Sequence, residues 1–330
     1  MHTDDSLRPI RGTTLWLWWA LLAAAIALPF VLQALKLDFY TSMASRMLIY
    51  GLAACSLNLL IGYGGLVSFG HAAFVGVGAY TVAILITEGQ PNGWIGFGAA
   101  MGIAGLLAGF IGAISLRTRG VYFIMITLAF AQMIYYLVNS IKAYGGDEGL
   151  NIRRRSDFGF GLDLKNDIAF YLFVLGLLAL TLVFTARLVR SRFGRVILAA
   201  RDDNVRAESI GFPVFRYQLA LFMIAGALGG LAGALMVNHQ NYVNPNLMHW
   251  TQSGTLMVMV ILGGVGRLSG GVWGAIVLLA LEDVIAEYTL HWAFYVGWIL
   301  LAVVLFAPRG LSGLFARKPA AGSAAGGAHG

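Results

Sequence analysis

Residues 187–216 read RLVRSRFGRVILAARDDNVRAESIGFPVFR and stand between two long apolar stretches. The segment holds seven of the 22 Lys and Arg residues of the chain. At about 3 kcal/mol for each Arg at a bilayer centre, burying all of them in lipid costs on the order of 20 kcal/mol, so the segment lies in water on the cytoplasmic side. Val196, Ala199, Ala200, Ala207 and Ile210 recur within it at helical spacing and give one weakly apolar face. Asp202 and Arg206 are placed for an i,i+4 ion pair, Gly211 can stop the helix, and Pro213 prevents its continuation. The pattern predicts a structured basic helix that docks on a soluble partner. On pattern alone a solvated positive-inside loop is the alternative.

Working outward, 59% of the 330 residues are hydrophobic, 11% are charged, and the mean hydropathy is +0.78. That leaves too little polar surface to cover a soluble core, which makes the chain an all-α integral membrane protein. The net charge of +7 falls mainly in loops expected in the cytosol, so it reports topology rather than a nucleic-acid surface. Cys55 is the single cysteine, which excludes a disulfide framework and a cysteine metal cluster.

Hydropathy predicts ten spans, at 14–35, 42–61, 71–88, 94–115, 120–141, 167–189, 217–238, 251–264, 271–288 and 291–307. The first follows Arg8 and Arg11 but has span length and no small-residue cleavage site, so it reads as a retained helix rather than a removed signal. With both termini cytoplasmic, 15 Lys/Arg lie inside and seven outside, in keeping with a positive interior. Arg153, Arg154 and Arg155 run against that trend, partly offset by Asp147, Glu148, Asp157, Asp163 and Asp167 in the same outer loop. The chain reads as one membrane domain over 1–330: a tail at 1–13, a bundle at 14–307 and a tail at 308–330. The bundle carries the cytoplasmic loop 190–216 and the outer loop 142–166, and the Ala/Gly-rich end from Lys318 is expected to be disordered. Small residues four apart, Gly98/Gly102, Ala104/Ala108/Gly112, Gly226/Gly230 and Ala225/Gly229/Gly233, predict close helix packing.

A second unusual stretch, IGYGGLVSFGHAAFVGVGAYT at 61–81, joins two spans through a run of glycines. Each glycine costs up to about 1 kcal/mol against Ala in a helix, so a break is expected there. It is either a re-entrant segment lining the solute path, with Asn58, Gly64, Gly65, Ser68 and His71 along it, or a tight turn at the cytoplasmic surface. His71 has no ligand-spaced partner and reads as a packed or hydrogen-bonded histidine. The turn GGVGRLSGGVWG at 263–274 lacks the lysine of a phosphate loop and gives only GxGxxS, so no nucleotide site is expected in this chain. If ATP drives transport, the ATPase is another polypeptide. Glu282, Asp283 and Glu287 are expected to reach the interface or pair with a polar neighbour, because no second charge in the other spans offers a proton relay.

Four stretches carry a family resemblance: 57–80 LNLLIGYGGLVSFGHAAFVGVGAY, 144–150 YGGDEGL, 194–235 GRVILAARDDNVRAESIGFPVFRYQLALFMIAGALGGLAGAL and 297–311 GWILLAVVLFAPRGL. Together they resemble the M-type permease subunits of ABC importers for branched-chain amino acids. The resemblance implies a coupling loop for an ATPase at Gly194, Arg195, Ala199, Arg201, Asp202, Ala207 and Gly211. Where the family often has paired alanines, this chain has Arg206 and Ala207, and where it often has a lysine, this chain has Gln218. The resemblance also implies a second, H-type permease, two cytoplasmic ABC ATPases holding ATP and Mg, a periplasmic binding protein, and a place in the lipid of a bacterial inner membrane. No cofactor is expected in the chain itself. The longest outer loop, with both charge signs at Asp147, Glu148, Arg153, Arg154 and Arg155, is the expected docking surface for the binding protein. The cargo class covers branched-chain and other hydrophobic amino acids, with amides or urea as the related alternative. A secondary carrier is the runner-up, and no catalytic constellation supports a membrane enzyme.

Overall fold

A computed structural model describes residues 12–36, 38–152, 154–159, 164, 166–289 and 291–306. The expectations placed on Arg8, Arg11, Arg153, Asp163, Lys165, Arg309, Arg317, Lys318 and both chain ends lie outside the described residues. The apolar helices are α1 (Gly12–Ala34), α2 (Asp38–Asn58), α3 (His71–Thr87), α4 (Gly93–Ser115), α5 (Val121–Ser140), α6 (Asp167–Arg190), α9 (Val214–Gln240), α10 (Trp250–Gly263), α11 (Gly270–Tyr288) and α12 (Trp292–Phe306). They fall on the ten apolar segments read from the sequence. Two further helices, α7 (Arg192–Asp202) and α8 (Asn204–Ser209), occupy the basic segment. Among the described residues, Phe39–Tyr63, α4, α5, α6 and α9 are long and apolar enough to cross a membrane by length and composition.

The bundle is organised around α9, which packs against α2, α3 and α4. Lipid offers no hydrophobic drive between helices, so close backbone approach has to supply the contact. A Cβ at Gly230 would lie 2.6 Å from both the Ala100 carbonyl oxygen and the Ala104 Cβ, which is why α4 and α9 can touch. Gly226 meets Ala108 in the same seam, while Gly229 and Gly233 face α3. Gly98 and Gly102 face no atom within 4 Å, so that pair is not used for packing among the described residues.

Pro29 sits inside α1 and has no N–H to give the Ala25 carbonyl one turn earlier. Tyr171 of α6 supplies the missing donor, its hydroxyl reaching the Ala25 oxygen at 3.1 Å. A sequence feature that weakens one helix thereby fixes where its neighbour attaches.

At one end, a two-stranded antiparallel sheet pairs β1 (Leu150–Asn151) with β2 (Tyr242–Val243), Leu150 opposite Val243 and Asn151 opposite Tyr242. Asp157 is tied to the α3–α4 turn, its N–H donating to the Pro91 carbonyl at 2.7 Å. Asn238 of α9 accepts from the Ser156 N–H at 2.7 Å. The loop expected at 142–166 is thus laced to three elements of the bundle. The opposite end gathers the α2–α3 break, the α4–α5 turn, α7, α8 and the α10–α11 turn. Arg119 beside Glu208 (3.6 Å) and Arg201 on Gly62 mark that common end.

Candidate functional site

The basic segment folds as two helices with a corner between them. Ser191 caps α7, its hydroxyl oxygen accepting from the Gly194 N–H at 3.3 Å. Asp203 takes an extended conformation (φ −155°, ψ 101°), ends α7, and caps α8 by accepting from the Arg206 N–H at 3.0 Å. This corrects the expected Asp202–Arg206 pair: Arg206 meets Asp203 instead, at 3.5 Å, because the helix is interrupted between Asp202 and Arg206. Gly211 has φ +97°, and the Gly211 and Phe212 N–H groups close on Glu208 and Ala207, the glycine stop that the sequence reading expected. Val196, Ala200 and Ala207 are buried as read, joined by Ile197. Ala199, beside the buried face of α7, and Ile210, past the corner, are exposed.

Gln218 at the start of α9 donates to the Asn204 side chain at 3.2 Å and fastens the corner to the bundle. Ala200, Ala207 and Val214 close beneath it. Val205 and Ile210 stand 64% and 71% exposed, and Asp202 and Arg206 are exposed as well.

The glycine run breaks the helix in two steps. The end of α2 widens into a π turn over Leu59–Tyr63, then residues 65–70 run without helical bonding until α3 begins at His71. Gly64 faces Leu221 of α9 and His71 faces Gly229. Those eight residues of α9 amount to about 12 Å of rise, so the chain climbs back into the bundle before α3 starts. Ser56, seven residues before Tyr63, lies level with His71, its Oγ 2.7 Å from Nε2. The break is therefore the re-entrant arrangement rather than a tight surface turn.

Along it, Asn58, Gly64, Ser68 and His71 are buried and Gly65 is exposed. Ser68 accepts from the Gly70 N–H at 3.2 Å, and the Ala72 N–H reaches Ser253 at 2.9 Å. Asn58 spans to the α10–α11 turn: Nδ2 donates to the Arg267 carbonyl at 2.8 Å, and Oδ1 accepts from the Gly266 N–H at 2.9 Å. A Cβ at Gly62 would lie 2.5 Å from the Gly266 nitrogen, so only glycine permits that approach. Arg201 of α7 donates through Nη1 to the Gly62 carbonyl. The expected coupling loop and the expected solute path thus meet at Gly62, with the 263–274 turn as the third party. Sequence reading missed that junction, although its glycines were the visible signal.

At the other end, Asp147, Glu148 and Arg154 are exposed. Arg155 is only 16% exposed: it donates to the Leu164 carbonyl (2.6 Å) and Asp167 (3.0 Å) and stands 5.0 Å over the Phe170 ring. It fastens the loop down. Asp283 pairs with Arg46 of α2 at 3.0 Å, the polar neighbour expected for one of the acids of α11.

A polytopic helical bundle with a re-entrant break and a folded basic segment at one end is the architecture of a membrane permease. The family described as branched-chain amino acid transport system, permease component, matches residues 39–308, and the chain belongs to it. It is 30% identical to the high-affinity branched-chain amino acid transport permease LivM of Escherichia coli K12, over 88% of this chain and 73% of that protein. The LivM of Salmonella typhimurium is 29% identical over the same shares. The LivH permease of Escherichia coli K12 is 23% identical over 80% of this chain and 91% of that protein, so the likeness is to the LivM type. No solved structure matches the chain.

Proposed function

We propose that this chain is the M-type permease subunit of an ATP-driven importer that moves branched-chain and other hydrophobic amino acids across a bacterial inner membrane by alternating access. Its partners in this reading are an H-type permease, two cytoplasmic ATPases and a periplasmic binding protein. The observation that carries the reading is the basic segment. It is too charged for lipid, is capped at both ends, and exposes Val205 and Ile210 as well as Asp202 and Arg206. Exposed apolar side chains set among charged residues fit a docking surface, with the apolar groups giving affinity and the charges fixing register. A secondary carrier has no use for such a surface.

The test is co-purification of the ATPase subunits with a tagged form of this chain. Val205→Asp combined with Ile210→Asp should remove the ATPases while the permease pair still inserts. Unchanged recovery of the ATPases with that variant would contradict the docking assignment.

A further inference from the structure

We propose that Arg201 is a positioning residue that transmits movement of the basic segment to the re-entrant segment, by competing with a backbone N–H for the carbonyl of Gly62. The inference rests on the reading that α7 and α8 dock on an ATPase.

In an α-helix continuing through the break, the Gly62 carbonyl would accept from the N–H of Leu66, four residues on. That N–H is used elsewhere, donating to the Leu60 carbonyl at 3.0 Å, while Gly64 donates to Leu59 at 3.3 Å. The wide π turn over Leu59–Tyr63 results. Gly62 is left at a helix end with a carbonyl lacking its helical donor, and the Arg201 guanidinium supplies one from 139 residues away. Two arrangements of one short stretch therefore exclude each other. In the first, Arg201 holds Gly62 and the chain leaves α2 through the π turn. In the second, Arg201 withdraws, Leu66 bonds to Gly62, and α2 extends by a turn.

Gly65 is built for such a change. Its φ is +66° in the first arrangement, and glycine takes the helical φ of the second at no steric cost. A Cβ there would lie 3.0 Å from the Arg201 Cγ, so the same residue leaves room for the arginine. Asn58 anchors the stretch on its other side by holding Gly266 and Arg267, and the switch is confined to residues 59–70. Extending α2 would shorten the connection that climbs to α3 and shift Ser68 within it and His71, which begins that helix inside the bundle. Arg201 is itself exposed, but its guanidinium reaches in to the Gly62 carbonyl, and that contact distinguishes it from Val205 and Ile210.

The experiment uses the complete importer with its second permease, ATPases and binding protein. Arg201→Met removes the donor and keeps the stem, and Arg201→Lys keeps a cationic donor. Three quantities are read: recovery of the ATPases, stimulation of ATP hydrolysis by cargo-loaded binding protein, and amide hydrogen exchange across 59–70 with and without trapped nucleotide. With Arg201→Met the ATPases should co-purify at the wild-type level, stimulation should fall at least about fivefold, and the nucleotide-dependent change in exchange should vanish. Arg201→Lys should restore both in part. Wild-type stimulation and exchange in Arg201→Met would overturn the proposal. Loss of ATPase recovery in Arg201→Met would also overturn it, by making Arg201 a docking contact. If the docking reading itself is wrong, the Val205→Asp, Ile210→Asp variant keeps its ATPases, which is a separate outcome.

Discussion

Arg46 donates through Nη2 to both carboxylate oxygens of Asp283, at 3.0 and 3.2 Å, and so ties α2 to α11 across 237 positions of sequence. Each side chain is 34% exposed, so the pair is neither a surface bridge nor fully enclosed. A fully buried pair broken on one side costs about 3–5 kcal/mol and a surface pair about 0–1, which puts this one on the order of 2 kcal/mol. Arg46→Met should lower the thermal midpoint of the detergent-solubilised protein. The exchanged variant, Arg46→Asp with Asp283→Arg, should recover part of the loss, and no recovery would show that the charges act separately.

The apolar helices seen among the described residues were legible because each is a mostly apolar run, and hydropathy responds to just that, although only five of these runs are long and apolar enough to cross a membrane. Arg46 was harder to read. A lone Arg near the start of an apolar run looks like an interfacial charge until α11 is laid beside α2. The corner at Asp203 was hidden for a related reason: Asp is a common residue in helical surfaces, and only its extended backbone turns it into the end of one helix and the cap of the next. The glycine run announced a break, but its depth depended on the levels of Leu221 and Gly229 in a helix about 155 residues away. Arg155 looked like a free docking charge, and a contact to the Leu164 carbonyl cannot be read from spacing.

Gly65 is a sharp test of the break, since an L-residue in its left-handed conformation costs about 1–2 kcal/mol and Asn tolerates that region better than other residues. Gly65→Leu should abolish uptake with little change in membrane protein level. Gly65→Asn should retain more uptake than Gly65→Ala if backbone conformation dominates. Equal loss in the two would assign the defect to the crowding of Arg201.

Tyr171→Phe should leave the Ala25 carbonyl, freed by Pro29, without its donor. Hydrogen bonds between membrane helices average about 0.6 kcal/mol with a maximum near 1.7, so the expected loss is small, about 1 kcal/mol. Thermal unfolding in detergent should register it while uptake stays near wild type. A large uptake defect would mean that α1 takes part in transport.

The outer loop offers two arginines with different expected effects. Arg154→Glu changes an exposed charge in the loop that also exposes Asp147 and Glu148, and should alter the salt dependence of binding-protein-driven uptake, because rim charges act mainly on encounter rates. Arg155→Glu faces Asp167 at close range and should instead destabilise the loop, seen as faster proteolysis between 142 and 166. If Arg154→Glu leaves uptake unchanged across a salt series, that charge is not part of the docking surface.

The central claim is tested most directly by uptake into proteoliposomes holding the assembled complex, with ATP inside and radiolabelled leucine plus its binding protein outside. The account predicts leucine accumulation that needs both ATP and the binding protein, stops when Val205 and Ile210 are replaced by Asp, and is not displaced by excess urea. Leucine accumulation without ATP, driven by an ion gradient, would contradict it. So would ATP-dependent accumulation of urea in place of leucine.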